Sequence, residues 1–249
     1  MGVIFIGDRG VGKSHLLKKL INRQSQRIRV TNLTEEQLEL DPSFYRSGDT
    51  IPTQSIDTRT IEMQVRLLAP VKLSVDWIDT PGELWRTTWQ QANSDEWNKF
   101  KTLASKSRGV VIVLPPHRNI GKGINDIEII DLHKVPNQDQ WCNRFERWVN
   151  FLLDYCPNVE HIVLCINKAD LFCHDIDSEA NKLAYNPSGL TMDFVDRNNY
   201  IINQYFSPIK SAIAEINQNR HGLVVRCFIT SVYNRTLLEL PWIYLACYL

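Results

Sequence analysis

The sequence has no excess of charge of either sign. Its 249 residues include 28 Lys and Arg and 28 Asp and Glu, so the formal net charge at pH 7 is zero. A chain without net charge lacks the long-range attraction that draws proteins to nucleic acid or to anionic membranes. We therefore expect a small ligand or a protein as the partner, and neither nucleic acid nor membrane.

Long apolar runs, a leader pattern and paired cysteines are also lacking. No apolar run reaches the roughly 18 residues of a membrane-spanning helix. No basic segment precedes the first apolar run, which predicts that there is no signal peptide. The six cysteines form no C-x-x-C pair, so we expect free thiols rather than disulfides or a zinc site. These absences predict a cytoplasmic protein.

Apolar runs rich in β-branched residues alternate with segments of helical periodicity. Six strands are predicted, at 2–6, 58–69, 71–79, 109–114, 161–166 and 223–229. Pro70 separates the second strand from the third, which favours a hairpin. The alternation predicts an α/β fold: a mainly parallel six-stranded sheet with one antiparallel hairpin strand and helices on both faces.

One domain is expected over 1–249, with enlarged polar loops inserted at about 23–52, 117–140 and 171–197. A helix is predicted at about 198–219, with a break at Pro208 as an alternative. The apolar end of the sequence, 237–249, leaves a last helix that is short or missing. Either the chain is cut from a longer protein, or this end packs back as a short helix or docks on a partner.

The segment GDRGVGKS at 7–14 fits the phosphate-binding pattern G-x-x-x-x-G-K-[ST]. Its glycines let backbone N–H groups point at a phosphate, and the helix that follows presents its positive end to the same anion. Lys13 can reach the β- and γ-phosphates, and the Ser14 hydroxyl can bind Mg²⁺. The predicted phosphate-binding residues are Asp8, Arg9, Gly10, Val11, Gly12, Lys13, Ser14 and His15.

The segment DTPG at 79–82 ends an apolar strand. At such a strand end the Asp79 carboxylate can hold Mg²⁺ through water, and Gly82 can offer its backbone N–H to a γ-phosphate. The pattern D-x-x-G is expected about once by chance in a chain of this length. The pattern therefore indicates a nucleotide-binding segment only because it stands at the end of a strand.

Two further motifs indicate which base is bound. The segment NKAD at 167–170 ends an apolar strand, and the Asp170 carboxylate can accept hydrogen bonds from the N1–H and amine of guanine. Adenine has no such donor pair, so Asp170 would stay unsatisfied beside it. The segment TSV at 230–232 can present a backbone N–H to the guanine O6. The predicted guanine-binding residues are Asn167, Lys168, Asp170, Ser231 and Val232.

In this order, and each at the carboxyl end of a strand, the motifs resemble those of the P-loop GTPases of the TRAFAC class, the Ras- and Arf-like small GTPases among them. The resemblance implies GTP and GDP binding with Mg²⁺, switch loops that contact protein effectors or regulators, and slow hydrolysis. The segment TIPT at 50–53 is similar to that of the Arf-like branch, which implies that Thr53 binds Mg²⁺. Thr50 is the alternative ligand, and a loop threonine without this role is a third interpretation.

Two residues depart from the family pattern. Glu83 stands where Ras-like enzymes carry a water-orienting glutamine. A glutamate can position or deprotonate water, but its charge beside a γ-phosphate is repulsive. Arg9 stands where glycine is usual; it either stabilises the transferring phosphoryl group, hinders a partner's arginine, or faces solvent. The residues expected in catalysis are Lys13, Thr53, Gly82, Glu83 and Arg9.

Two other functions stay open. One is a nucleotide-dependent assembly or scaffold module with vestigial hydrolysis. The large insertions of this sequence resemble those of bacterial multi-domain GTPases, including those of defence and signalling systems. This resemblance is an analogy at the level of the fold and depends on no specific motif. The other is an ATP-dependent kinase or ATPase, which requires that Asp170 does not face the base.

Overall fold

The structure is a computed structural model of the chain, and it describes residues 2–8, 10–22, 27–34, 36–37, 56–79, 84–120, 135–186, 192–220, 222 and 224–249. The strands in these residues are β1 Val3–Gly7, β2 Ile28–Val30, β3 Asp57–Arg66, β4 Pro70–Asp79, β5 Gly109–Leu114, β6 His161–Ile166 and β7 Val225–Ile229. The α-helices are α1 Lys13–Ile21, α2 Thr87–Ala92, α3 Ser94–Lys106, α4 Gln138–Tyr155, α5 Ile176–Leu183, α6 Phe194–Tyr205, α7 Lys210–Asn219 and α8 Arg235–Tyr248.

The described strands form one mixed sheet in the order β2-β3-β4-β1-β5-β6-β7. β1 lies between β4 and β5 and is parallel to both, and β6 and β7 continue the parallel arrangement. β3 is antiparallel to its neighbours β2 and β4. The prediction of a mainly parallel α/β sheet with one antiparallel hairpin strand is confirmed.

The predicted number of strands is wrong, because the described sheet has seven strands instead of six. The additional strand is β2, which lies in the segment 23–52 that we expected to be an irregular insertion. It pairs with β3 through Ile28 and Val30, opposite Val65 and Met63. A strand of three residues is too short to show the alternation by which strands are recognised in a sequence.

The central strands are buried on both faces of the sheet. Every residue of β1 and β5 is buried, which explains why their sequences are continuous apolar runs. On one face Phe5 stacks on Trp77, with ring centroids 3.7 Å apart, and on Trp242 of α8, at 5.4 Å. The end of the sequence therefore packs back onto the sheet as a helix of 14 residues, which is one of the two alternatives for 237–249.

Two other segments bear on the predicted loops. The segment 198–219 is not one helix but is broken near Pro208, as the alternative interpretation predicted. α6 ends at Tyr205, a 3₁₀ turn spans Ser207–Ile209, and α7 follows. Proline at 208 lacks the N–H that a continuous helix needs. The insertion 171–197 contains α5, which is capped by Asp175. Of the insertions 23–52 and 117–140, the larger part lies outside the described residues.

In the part of the chain that the structure describes, no helix is long and apolar enough to cross a membrane.

Candidate functional site

The polar motifs lie at one edge of the sheet. Gly7 ends β1, Asp79 ends β4, Asn167 follows β6, and Thr230 follows β7. These strands are parallel to one another, so their carboxyl ends meet at the same edge. In open α/β sheets, ligands bind outside this edge.

The turn between β1 and α1 requires glycine at two positions. Gly10 has φ 75° and Gly12 has φ 93°, which are left-handed conformations that strain other residues. Gly12 also lies close to the segment 167–170, because a Cβ built on it would be 2.7 Å from the Asn167 Nδ2. Gly12 precedes α1 and has no side chain to cap the first N–H groups of that helix. Helix N-termini of this kind bind anions.

Lys13 lies inside this turn. Its side chain is buried, with only 5% of the residue exposed, and its Nζ donates to the Gly7 carbonyl oxygen at 2.9 Å and to the Asp8 carbonyl oxygen at 3.2 Å. A buried ammonium is tolerated only with such partners. These contacts hold the cationic group of the motif at the mouth of the loop.

The pKa of the Asp8 carboxyl group depends on its burial and on positive charges near the turn. Burial raises the pKa of its carboxyl group above the usual value, while the positive charges of Arg147, Arg144 and Lys13 act in the opposite direction. Both arginines belong to α4, which no motif connects to the turn. Sequence reasoning missed them, and no local pattern could have identified them.

Asn167 joins three segments of the site. Its Nδ2 donates to the Val11 carbonyl oxygen at 2.7 Å, and its Oδ1 accepts from the Thr230 hydroxyl at 3.1 Å. The side chain is buried, as are both hydrogen bonds. Lys168, in the left-handed conformation at φ 64°, directs its Nζ to the Gly10 carbonyl oxygen at 3.5 Å. The loop after β6 therefore supports the turn after β1.

Asp170 is oriented by the segment after β7. Its Oδ1 accepts a hydrogen bond from the Ser231 hydroxyl, and the same Ser231 oxygen accepts from the backbone N–H of Tyr233 at 3.1 Å. Ala169 N–H donates to the Thr230 carbonyl oxygen at 3.0 Å. Sequence reasoning assigned only a backbone role to 230–232. The structure adds two hydroxyl groups, which the residue types T and S could have indicated.

Some of the predicted site residues are only partly described. Ser14 is half-buried and His15 is exposed in the first turn of α1, and Val232 is half-buried after β7. Asp79 ends β4 two residues after Trp77, just as Gly7 ends β1 two residues after its partner Phe5. The two residues therefore lie at the same level of the sheet. The side chain of Asp79 and the residues Arg9, Thr50, Thr53, Gly82 and Glu83 lie outside the described part.

The described residues contain no group of three or more His, Cys, Asp or Glu side chains that could hold a metal ion. A site for Mg²⁺ at this edge would instead use oxygen ligands from Ser14 and from the end of β4. A hydroxyl and a carboxylate are ligands that this hard cation prefers. The donor types present thus fit Mg²⁺.

Comparison with models of known protein families finds no match for this chain, and comparison with curated proteins finds no significant relative.

Proposed function

We propose that this protein is a guanine-nucleotide-binding switch of the P-loop GTPase kind that slowly hydrolyses GTP to GDP and phosphate with Mg²⁺. The observation that carries the proposal is the position of Asn167, whose amide bonds to the phosphate motif at Val11 and to Thr230 of the third motif. Three segments that are far apart in sequence and have complementary nucleotide chemistry are thereby held together. Random matches to three short patterns would not be expected to meet in this way.

The phosphate end of the proposed site depends on Lys13. Its ammonium is bonded to two neutral carbonyl oxygens, and a phosphate oxygen is a stronger partner because it carries a full negative charge. The N-terminus of α1 adds the dipole of the helix at the same place. Together these groups would bind a diphosphate or triphosphate.

The base end depends on Asp170. The Ser231 hydroxyl occupies one acceptor position of Oδ1, and a carboxylate has about four such positions. The remaining lone pairs would accept the N1–H and 2-amino group of guanine. Adenine would leave them without donors, and a site built for such bonds rejects a base without them by about 10³-fold or more.

Hydrolysis is the part of the proposal that depends on residues outside the described part. When bound at Ser14, Asp79 and Thr53, Mg²⁺ would neutralise charge on the β- and γ-phosphates. Lys13 would stabilise the charge that develops on the transferred group, and Gly82 would orient the γ-phosphate through its N–H. Glu83 would lie near the attacking water, where its charge makes turnover slow. Arg9 is the candidate for compensating that charge.

The main test is the identity of the nucleotide. Mass spectrometry of the protein as purified should find GDP or GTP, and unlabelled GTP but not ATP should displace labelled GTP. Asp170→Asn should weaken GTP binding by about 10³-fold and improve binding of xanthosine triphosphate, because the asparagine amide can donate to the xanthine 2-oxo group. Glu215→Gln, on the exposed surface of α7, is the control for loss of one carboxylate. Equal displacement by ATP would refute the proposal.

The alternative function is an assembly module that retains GTP, with protein effectors or regulators bound through the switch loops and insertions in the cytoplasm. Glu83 favours this alternative, since it replaces the water-orienting glutamine of the family that the motifs resemble, and Arg9 favours it only in the role of hindering a partner's arginine. Single-turnover phosphate release distinguishes the two functions. Measurable release that changes in Glu83→Gln and Arg9→Ala supports the enzyme, while retained GTP supports the module.

A further inference from the structure

Two arginines of α4, Arg144 and Arg147, lie close to the phosphate-binding turn. Their positive charges both act on the Asp8 carboxyl group and oppose the rise in its pKa that burial causes. Arg144 is half-buried and Arg147 is exposed. In the part of the chain that the structure describes, neither side chain forms a hydrogen bond or an ion pair. The two guanidinium groups therefore have N–H donors available to a ligand.

The start of α4 is fixed at the carboxyl edge of the sheet. Val113 of β5 pairs with Gly7 of β1, so the segment that follows β5 leaves the sheet beside Asp8. In the first turn of α4, the Trp141 Nε1 donates to the Pro115 carbonyl oxygen of that segment at 2.8 Å. The N-terminal turns of α4 therefore lie at the same edge of the sheet as the phosphate-binding turn.

Ring contacts further along α4 show which side of the helix Arg144 occupies. Trp85, which closely follows the segment DTPG in the sequence, contacts Trp148 and Phe151, with ring centroids 4.5 and 5.3 Å apart. Arg144 precedes these two residues by one and by two helical turns, a spacing that places all three on one side of a helix. Arg144 therefore lies on the side of α4 that faces Trp85, one turn closer to the carboxyl edge of the sheet.

The charges that act on Asp8 leave an excess of positive charge at the turn. Three cations, Arg147, Arg144 and Lys13, surround this one carboxyl group. The Lys13 Nζ is bonded to two carbonyl oxygens, which carry no net charge. Even with Asp8 ionised, the group keeps two positive charges. A terminal phosphate group carries a charge of about −1.5 to −2 at pH 7 and would balance them.

We propose that Arg144 and Arg147 bind the terminal phosphate of a nucleoside triphosphate and thereby set the preference for the triphosphate over the diphosphate. A planar guanidinium group can form two parallel hydrogen bonds to phosphate oxygens. The turn and Lys13 act on phosphates that both nucleotides share, whereas the two arginines approach from α4. This inference rests on the proposed function, and it adds two residues from an element that contains none of the predicted motifs.

A role confined to Asp8 is the alternative for both arginines. They would then only balance the Asp8 charge beside the phosphates, and their effect would vanish once that carboxylate is removed. Direct binding of the terminal phosphate predicts instead that the effect persists. A double-mutant cycle, with Arg144→Ala made in the wild type and in Asp8→Asn, separates the two roles.

Equilibrium binding of GDP and of the slowly hydrolysed analogue GTPγS, both with Mg²⁺, tests the proposal. Arg144→Ala and Arg147→Ala should each weaken GTPγS binding by about tenfold and GDP binding by less than about threefold. Retained GDP binding also shows that the variants are folded. In Asp8→Asn, the effect of Arg144→Ala on GTPγS should persist.

Arg66→Ala is the control for loss of one positive charge, because Arg66 is exposed and pairs with the first residue of β4, at the opposite end of the sheet. It should bind both nucleotides as the wild type does. Unchanged GTPγS binding in both α4 variants, equal weakening of the two nucleotides, or an effect that disappears in Asp8→Asn would overturn the proposal.

A second measurement needs no base and so separates this proposal from the choice of guanine. Inorganic tripolyphosphate and pyrophosphate differ by one phosphate, as the two nucleotides do. In calorimetry, Arg144→Ala should weaken tripolyphosphate binding more than pyrophosphate binding. If this difference is found but neither guanine nucleotide binds to the wild type, the proposed function fails and the arginine site is supported. If both nucleotides bind and Arg144→Ala keeps the wild-type ratio of their affinities, only the arginine proposal fails.

Discussion

The Asn167 side-chain amide donates to the Val11 carbonyl oxygen at 2.7 Å, between positions 156 residues apart. The contact joins the motif that would select the base to the turn that would bind the phosphates. It is buried and is completed by Thr230, whose hydroxyl donates to Asn167 Oδ1. The two ends of the candidate site are therefore one hydrogen-bonded unit, and a change in one should be detected in the other.

Asn167→Ala should destabilise the protein and weaken nucleotide binding together. The substitution leaves the Val11 carbonyl oxygen and the Thr230 hydroxyl buried without partners. Such losses cost about 2–4 kcal/mol in free energy of unfolding. Urea denaturation measures the loss. Thr230→Val, which removes only one of the two bonds, should cost about half as much, and an unchanged urea midpoint in Asn167→Ala would contradict this role.

Lys13→Met should weaken nucleotide binding far more than it changes stability. The methionine side chain fills a similar volume, and removing a buried ammonium removes its desolvation cost. Binding of labelled GTP should fall by about 100-fold or more, while the free energy of unfolding changes by no more than about 1 kcal/mol, because the lost bonds to the two carbonyl oxygens offset the desolvation cost that is removed. Lys19→Met, at an exposed position of the same helix, is the control and should bind normally. Normal binding by Lys13→Met would remove this residue from the site.

Gly12→Ala and Gly10→Ala form a matched pair. Both positions have positive φ, so alanine costs about 1–2 kcal/mol in backbone strain at either one. At Gly10 a Cβ meets nothing within 4 Å, whereas at Gly12 it would lie 2.7 Å from Asn167 Nδ2. Gly12→Ala should therefore lower both the stability and the nucleotide affinity more than Gly10→Ala. Equal effects in urea denaturation and in binding would show that the contact with Asn167 has no consequence.

His117 should make the protein less stable in mild acid. Its pKa is lowered by burial to about 4 in the folded state and is near 6.5 in the unfolded chain. The unfolded state therefore binds more protons below pH 6.5, and stability falls as the pH is lowered from about 6.5 to about 4. Between pH 7.5 and 5 the loss should be about 2 kcal/mol.

The same measurement in His117→Gln isolates this contribution. Burial also lowers the pKa of His161 and raises that of Asp8, and both groups add their own pH dependence in the two proteins. The difference between the urea midpoints of the wild type and His117→Gln cancels these shared effects. If the difference does not change between pH 7.5 and 5, His117 is not buried in its neutral form.

The strands that lie near the centre of the sheet were predictable because their signal is local. β1, β5 and β6 are continuous apolar runs, which buried parallel strands require. The two left-handed glycines were implied by the phosphate-binding pattern, since that turn needs them. The three residues of β2 were not predictable, because Ile28 and Val30 show no pattern until β3 lies beside them.

The amino-acid order by itself determined the runs that become strands, the turn at 7–14 and the residue types after each strand. Only the tertiary structure decided that Asn167 meets Val11 and Thr230, that α8 covers Phe5 and that His117 packs against Trp141. Each of these contacts joins segments that are distant along the chain, and they form only once the strands have taken their places in the sheet. Local periodicity contains no information about that arrangement, because it reports only which face of an element is buried and not what covers it.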